Sequence, residues 1–353
     1  MKRNLFIHAV NIHQGGGRTL LASLLEACGA YQQVIALLDS RMVLPNVLPR
    51  GLTIRRVNPS ILERLRAEWW LARHVKAWDG VLCFGNLPPL FGLRGHTSVF
   101  VQNRLLIDGT KLEDFKLRTR FRLRVERLWF ASRARHVDEF IVQTPSMKRL
   151  LSSTGLVDKQ PVNVRPFMRV EQGELHLSAT ATGDQKIDKK YDFIYVASSE
   201  PHKNHRRLIE AWCILAEQGL FPKLCLTMDR NSSAEFCDWM EERQRRYGLK
   251  LENVGNITRE QVMKNYMLAK ALIYPSLLES FGLPLLEAHR LGLPVLAPEL
   301  DYVRDILDPE QTFDPLSPVS IAKAVKRFMG VSELPMQIVD AAQFMAAFAG
   351  KVD

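Results

Sequence analysis

Two glutamates, Glu279 and Glu287, enclose the stretch SFGLPLL, with seven residues between them. An apolar, strand-like run from Ala271 to Tyr274 precedes the pair, and Pro275 ends it. Gly282 permits close backbone approach, and Pro284 stands where a first helical turn begins and no N–H is needed. The N–H groups of Phe281, Gly282 and Leu283 then point at whatever lies over the mouth of the helix. This spacing puts Glu287 on the first helical turn and Glu279 ahead of the turn, facing the same crevice. Each acid alone has an ordinary explanation: Glu287 as a carboxylate favoured by the helix dipole, Glu279 as a solvated loop acid.

Three further loops carry residue types suited to a polar ligand. In VASSEPHKNHRRLIEAW, residues 196–212, Lys203 and Asn204 stand among His202, His205, Arg206 and Arg207 just before an amphipathic helix. Cations at a helix N-terminus oppose its dipole unless an anion joins them, and a bound diphosphate resolves that conflict. Lys203, at the strand-to-helix corner, is the phosphate ligand on this reading, while Arg206 and Arg207 are equally well explained as solvated. Near the N-terminus, Gly15, Gly16 and Gly17 precede a helix expected from about Arg18 or Thr19. They form either an anion cradle of backbone N–H groups or a tight turn. The run lacks both G-x-G-x-x-G spacing and a G-K-[ST] ending, so it supports neither a dinucleotide site nor a P-loop. At the end of another strand, Gln102 and Asn103 offer amides that either bind sugar hydroxyls of an acceptor or, for Asn103, cap the next segment.

The elements that carry these loops repeat one pattern. Asn4–Ala9, Val34–Leu38, Gly80–Phe84, Thr97–Val101 and Glu139–Val142 read as buried strands alternating with helical segments. After a polar stretch between Met168 and Lys190 the pattern restarts, with strands at Asp192–Ala197, Lys223–Thr227, Ala271–Tyr274 and Pro294–Ala297. The expected fold class is α/β, with two Rossmann-like domains facing each other across a cleft and ligands at the carboxyl ends of the strands. The domains are expected at residues 1–170 and 188–335, with a C-terminal helix over 336–353 packing back on the first domain. At 353 residues the chain suits two cores. Five cysteines without C-x-x-C spacing point to a reducing compartment, and the apolar run in MKRNLFIHAV is too short for a signal peptide.

The stretch E-SFGLPLL-E resembles the signature of retaining glycosyltransferases of the family 4 type, which have the two-domain GT-B fold. The resemblance covers about residues 192–305 and is most specific from Tyr266 to Val303. It implies transfer of a sugar from a nucleotide diphosphate-sugar, as co-substrate, to a hydroxyl of a glycan. Glu287 would bind the ribose hydroxyls of the donor, Glu279 would sit against the donor sugar, and Ser280 and the Phe281–Leu283 amides would hold sugar hydroxyls or phosphate. Lys203 matches the family's phosphate-binding lysine, with Asn204 beside it, and Ile257 the position whose backbone meets the base. On this reading Gly16 and Gly17 border the donor, and the N-terminal domain reads the acceptor through Gln102 and Asn103. Two departures stand out: Ser198 replaces a frequent arginine, for which Arg206, Arg207 or the glycine loop must compensate, and Gln102-Asn103 replaces a frequent histidine.

No cofactor or metal ligand set is expected, since no D-x-D pair occurs in the chain. The net charge of +10 is concentrated between Lys111 and Arg135, where nine basic residues face three acidic ones. Phe121, Val125, Leu128, Trp129 and Ser132 fall at helical spacing there, so that face is expected to pack while the arginines fan outward. Trp69, Trp70 and Trp78 lie near Arg64, Arg66, Arg73 and Lys76. Aromatic and basic residues together suit an anionic membrane surface, with the tryptophans as core residues being the alternative. No nucleic-acid motif accompanies the patch. The overall expectation is a metal-independent, retaining glycosyltransferase, cytoplasmic and peripheral on the cytosolic face of a membrane, acting on a lipid-linked glycan in cell-surface polysaccharide or lipopolysaccharide O-antigen assembly. Its competitors are a nucleotide-sugar epimerase or phosphorylase on the same fold, and a non-catalytic nucleotide-sugar or membrane-binding protein.

Overall fold

The computed structural model describes residues 4–30, 33–45, 47–109, 113, 115, 117–157, 159–168 and 188–331. The expected C-terminal helix over 336–353 and most of the polar stretch before Lys190 lie outside them.

The first domain is a seven-stranded parallel sheet of β1 (Leu5–Ala9), β2 (Val34–Asp39), β3 (Leu52–Val57), β4 (Gly80–Cys83), β5 (His96–Phe100), β6 (Glu139–Val142) and β7 (Val162–Val164), ordered β3-β2-β1-β4-β5-β6-β7. Parallel strands need crossovers, and α1 (Gly15–Ala27), α2 (Ile61–His74), α3 (Leu117–Arg133) and α4 (Pro145–Ser153) supply them. Successive residues of β1 feed opposite faces: Phe6 joins the core that includes Leu71 and Phe130, while Ile7 joins the one that includes Leu21 and Leu38. Burial on both faces is why the central strands are continuous apolar runs.

The second domain repeats the plan with β8 (Tyr191–Tyr195), β9 (Leu224–Leu226), β10 (Leu251–Asn253), β11 (Ala269–Ile273), β12 (Val295–Pro298) and β13 (Gln311–Phe313), ordered β10-β9-β8-β11-β12-β13. Its helices are α5 (His205–Glu217), α6 (Ala234–Tyr247), α7 (Arg259–Met267), α8 (Leu283–Arg290), α9 (Asp301–Arg304) and α10 (Pro318–Phe328). Trp212 anchors this core, fully buried, with its indole N–H donated to the Pro222 carbonyl at 2.9 Å. Strand order reverses between β1 and β4 in one sheet and between β8 and β11 in the other, which opens a crevice at the carboxyl ends of each pair.

The two domains meet across that cleft as expected. The Ser146 N–H, in the first turn of α4, donates to Asp305 Oδ2 at 2.8 Å, and Arg149 Nη2 lies 3.4 Å from Asp301 Oδ2. Leu283, the first residue of α8, packs onto the core of the first domain.

Three expectations change. Strands β3, β7, β10 and β13 escape the sequence pattern, and they are the four edge strands of the two sheets. An edge strand loses one neighbour and much of its burial, so short polar sequences such as TIRRV and LEN suffice there. The first helix begins at Gly15, not near Arg18, with the glycines forming its first turn. In α3 the buried face carries Leu123 and Phe130, while Phe121 and Leu128 are 71% and 72% exposed. The inward rotation follows from Arg127, which donates to the carbonyls of Leu105 at 2.9 Å and Asp108 at 2.7 Å and so turns its own side of the helix toward the protein.

His205 opens α5 buried, with its ring 4.7 Å from that of Tyr195 and Nε2 2.8 Å from the Ser198 carbonyl oxygen. Burial drives its pKa from 6.5 down to about 4, outweighing the opposing Ser198 hydrogen bond. Since the folded value is depressed, the stabilisation is complete above the unfolded value near 6.5 and is lost as pH falls toward 4. Chemical denaturation at stepped pH should show the wild type losing about 3 kcal/mol more than His205→Gln across that window. Parallel pH profiles for the two proteins would remove His205 as the cause.

Candidate active site

Two loops build the floor of the cleft in the second domain: residues 196–204 after β8, and 274–282 after β11. They flank the switch point and are tied together by backbone and side-chain hydrogen bonds. The His202 carbonyl accepts from the Leu277 N–H at 2.8 Å and the Ser276 hydroxyl at 3.2 Å. Three buried tyrosines brace the same loops. Tyr195 donates to the Lys203 carbonyl at 2.7 Å, Tyr302 to the Ser276 carbonyl at 2.7 Å, and Tyr274 to Glu279 Oε1 at 2.8 Å. Burial, with the Glu279 charge adding to it, pushes all three phenols well above their ordinary range, so they act as neutral donors.

At the centre of this assembly Lys203 Nζ stands 2.6 Å from Glu279 Oε1, with both side chains largely withdrawn from solvent. Burial alone would raise the Glu279 pKa. The Lys203 charge and hydrogen bond, with help from Ser276 and His202, reverse this and hold the carboxyl below its ordinary value, ionised at neutral pH. An ammonium has three donors, so Lys203 keeps hydrogen-bonding capacity beyond Glu279.

Asn204, beside it, is turned away from the cleft. In the left-handed conformation at φ 61°, its amide nitrogen donates to the Pro275 carbonyl at 3.1 Å and the Pro315 carbonyl at 2.7 Å, and its oxygen accepts from Arg207. Its side chain is therefore a strut between loops. Arg206 is likewise committed, with its guanidinium 4.6 Å from the ring centroid of Trp239. Neither arginine after Lys203 is thus deployed in place of the arginine absent at Ser198.

Gly282 takes φ 68°, a conformation that favours glycine, and serves as the cap residue of α8, with Pro284 in the first turn. The first N–H groups of a helix have no intrahelical acceptor and remain directed outward. Phe281 is buried and Ser280 half-buried, and the Ser280 carbonyl receives the Thr144 hydroxyl of the first domain at 3.4 Å. Opposite α8 lies the first turn of α1: a Cβ at Gly16 would stand 3.0 Å from Leu283 Cδ1, and one at Gly17 3.5 Å from Gln102 Oε1. Two helix N-termini and Gln102 are therefore neighbours across the cleft. Gln102 Nε2 donates to the Phe84 carbonyl at 2.9 Å, and Asn103 Oδ1 accepts from the Leu105 N–H at 3.1 Å, so Asn103 acts as a cap here.

Glu287 is the fifth residue of α8, a turn deeper than its spacing suggests, and its partners come from α7, not from the helix dipole. Arg259 Nη1 lies 2.9 Å from Oε1, and the Tyr266 hydroxyl donates to Oε2 at 3.2 Å. A carboxylate offers about four lone-pair sites in all. Ile257 lies just ahead of Arg259, half-buried in the loop that leads into α7. The sequence reading gives no role to Arg259 or Tyr266. Their signal was available: Thr258 and Gln261 form a capping box that starts α7, and residues seven apart share a helix face. Among the described residues no group of three or more His, Cys, Asp or Glu side chains is placed to hold a metal ion.

Residues 181–344 match the family described as "Glycosyl transferases group 1". "Serotype-specific mannosyltransferase WbdA" of Escherichia coli is 25% identical over 220 residues, which cover 58% of this chain and 27% of that protein. "O-antigen chain mannosyltransferase B" of Escherichia coli is 30% identical over 115 residues, covering 32% and 30%. The chain thus spans less than a third of the length of these curated relatives. Among solved structures, Anabaena HepE in complex with UDP and glucose aligns with a TM-score of 0.63 at 14% identity, covering 93% of this chain and 90% of that one. Sucrose-phosphate synthase from Thermosynechococcus elongatus aligns at 0.65 and 17% identity, with the same coverage. The paired parallel sheets are accordingly a GT-B fold, and Lys203, Glu279 and Glu287 all lie in the part of the chain that matches the group 1 glycosyl transferase family.

Proposed function

We propose that the protein is a retaining glycosyltransferase that moves a sugar from a nucleotide diphosphate-sugar to a hydroxyl of a glycan acceptor without a divalent ion. The observation that carries this reading is the convergence of the Lys203–Glu279 pair and the open mouth of α8 at the β8/β11 switch point, with Glu287 one turn farther along the helix. In this reading the diphosphate rests between Lys203, the α8 mouth and the glycine turn of α1. The ribose hydroxyls meet Glu287, the base passes near the Ile257 backbone, and the donor sugar lies against Glu279. The bond between the anomeric carbon and the phosphate oxygen breaks, its electron pair leaving with the diphosphate, whose growing charge Lys203 and the helix dipole stabilise. The acceptor oxygen attacks from the same face and its proton passes to the departing phosphate oxygen. The nucleoside diphosphate is the second product.

The mannosyltransferases among its relatives, one of them named for the O-antigen chain, favour a hexose donor, with mannose first to be tried, and a role in cell-surface polysaccharide or lipopolysaccharide O-antigen assembly. A lipid-linked acceptor would bring the enzyme to the cytosolic face of a membrane. The solvent-facing side of α3 supports that placement: Leu117, Phe121, Val125 and Leu128 are exposed at helical spacing, interleaved with Arg118, Arg120, Arg122 and Arg124. Ile61, Leu62, Leu65 and Trp69 of α2 are exposed as well, whereas Trp70 is half-buried against Phe6, its ring 6.2 Å away. Apolar side chains ringed by arginines suit insertion at an anionic headgroup layer. No helix among the described residues is long and apolar enough to cross a membrane.

A thermal-shift panel of UDP- and GDP-sugars tests the reading directly, since a ligand that binds the folded state raises its melting temperature. At least one nucleotide sugar should do so, and Glu287→Ala should lose about 1.5–3 kcal/mol of that affinity, the range for a hydrogen bond to a charged group. A panel with no shift, or an alanine variant that binds as well as the wild type, would count against the assignment.

Lys203→Ala should lower turnover more than it weakens donor binding, because charge on the diphosphate grows toward the transition state. Transfer by the wild type should persist in EDTA. A variant that raised only the Michaelis constant would reduce Lys203 to uniform binding.

Co-sedimentation should place the wild type on anionic vesicles, less so as salt rises, and leave it in solution with neutral ones. Replacing Arg118, Arg120, Arg122 and Arg124 with glutamine should cost several kcal/mol of vesicle affinity, at about 1 kcal/mol per charge. Equal pelleting of both proteins would assign these arginines elsewhere.

A further inference from the structure

Three buried phenols surround the Lys203–Glu279 pair, and one of them bonds the carboxylate. Tyr195 and Tyr302 donate to the carbonyls of Lys203 and Ser276, whereas the Tyr274 hydroxyl donates to Glu279 Oε1 at 2.8 Å. Lys203 Nζ bonds the same oxygen at 2.6 Å. Tyr274 is 1% exposed, and its ring meets those of Tyr195 and Tyr302 edge-on at 5.6 and 6.5 Å, so the phenol is held in place. Its backbone is fixed as well, with the Tyr274 N–H donated to the Leu296 carbonyl of β12 at 2.8 Å.

We propose that Tyr274 is a positioning residue of the donor site: it keeps Glu279 an oriented carboxylate while Lys203 is drawn to the diphosphate. The inference rests on the glycosyltransferase reading of the site. In that reading one ammonium serves two anions, and its hold on Glu279 weakens as charge gathers on the leaving diphosphate. Desolvation and like-charge repulsion then both drive the buried carboxyl toward its protonated form. Protonated, it would present a donor where sugar hydroxyls need an acceptor. A donor that does not move with the ligand prevents this.

The neighbouring groups leave that role to Tyr274. Ser276 also bonds Glu279, but its single hydroxyl hydrogen is shared with the carbonyls of His202 and Leu278, at 3.2 and 3.4 Å. Burial and the Lys203 charge hold His202 below its ordinary pKa, so its ring is neutral at neutral pH. Glu200, the other acid of the loop after β8, is occupied by the Ser198 hydroxyl. Across the cleft Glu279 borders a cavity of about 280 Å³ whose other charged side chains are already paired. Arg104 Nε lies 3.0 Å from Asp108 Oδ2, and Arg149 Nη2 lies 3.4 Å from Asp301 Oδ2.

Tyr274→Phe removes the hydroxyl and keeps the buried ring. Carbon-13 NMR of protein labelled at glutamate Cδ reads the charge on Glu279, whose signal is identified by its loss in Glu279→Gln. Two conditions withdraw the ammonium: the Lys203→Ala background, and unaltered Lys203 with saturating UDP or GDP. In each, Tyr274→Phe should raise the proton affinity of Glu279 about tenfold or more, and by less where Lys203 is present without nucleotide. Transfer by Tyr274→Phe should lose about tenfold in turnover with the donor Michaelis constant within about twofold, and its acid limb should move to higher pH. A tyrosine that only packs would leave the Glu279 titration and the pH profile unmoved.

The proposal is overturned if the titration is unchanged under both conditions, if turnover is unchanged, or if the effect is as large with Lys203 in place as without it. Transfer that proceeds while the titration stays still would remove Tyr274 and leave the donor reading standing. A titration that responds in Lys203→Ala, in a protein that binds and transfers no nucleotide sugar, would overturn the donor reading and leave the hold of Tyr274 on Glu279 intact.

Discussion

The architecture of the cleft depends on keeping one lysine and one glutamate ionised together while both are largely removed from water. An isolated buried charge is expensive, and a pair is tolerable only when geometry is good and the remaining lone pairs are satisfied. Lys203 and Glu279 meet that condition because they extend from loops that follow neighbouring strands, β8 and β11, whose register is set by main-chain hydrogen bonding. The bracing tyrosines follow from the same demand. Tyr274 satisfies Glu279 directly, while Tyr195 and Tyr302 fix the backbone on which the two charged residues sit. Removing either charge would leave the other buried and uncompensated, so the pair holds its geometry before any ligand arrives. Such preorganisation is what electrostatic catalysis requires.

The second carboxylate solves the same problem with different parts. Glu287 lies too deep in α8 for the helix dipole to be its main partner, and α7 supplies Arg259 and Tyr266 instead. Two acids eight positions apart are thus neutralised by different parts of the domain: Glu279 by the loop after β8, Glu287 by the helix after β10. A polar ligand laid along α8 meets two anchored carboxylates at a fixed separation, with the N-terminus of that helix close by. That arrangement orders a ligand having hydroxyls at both ends and negative charge in the middle, as a nucleotide sugar does.

The first domain contributes surfaces more than charged ligands. Its glycine turn approaches Leu283 so closely that a side chain at Gly16 would have to displace it, and α4 reaches Asp305 across the cleft. Its outer helices expose what its inner strands bury, with apolar side chains of α2 and α3 facing solvent among arginines. A face of that kind is ordinary only where something else covers it.

The two-domain α/β plan was legible in the chain because strands buried on both faces are written as unbroken apolar runs, and loops after such strands stand out by their glycines, prolines and charges. The motif from Glu279 to Glu287 and the corner at Lys203 were legible for the same reason, being local in sequence. Edge strands such as β3 and β10 were not, since half-exposed strands place few demands on composition. Nor was the orientation of α3, which Arg127 decides through carbonyls of a loop some twenty residues earlier in the chain. Only the tertiary structure could join Arg259 to Glu287, turn Asn204 into a strut, or form a cavity from Arg104, Arg149 and Asp301, because each of these depends on contacts between segments distant in the chain. Sequence by itself determined which side chains carry charge and which loops present them; packing decided which charges meet.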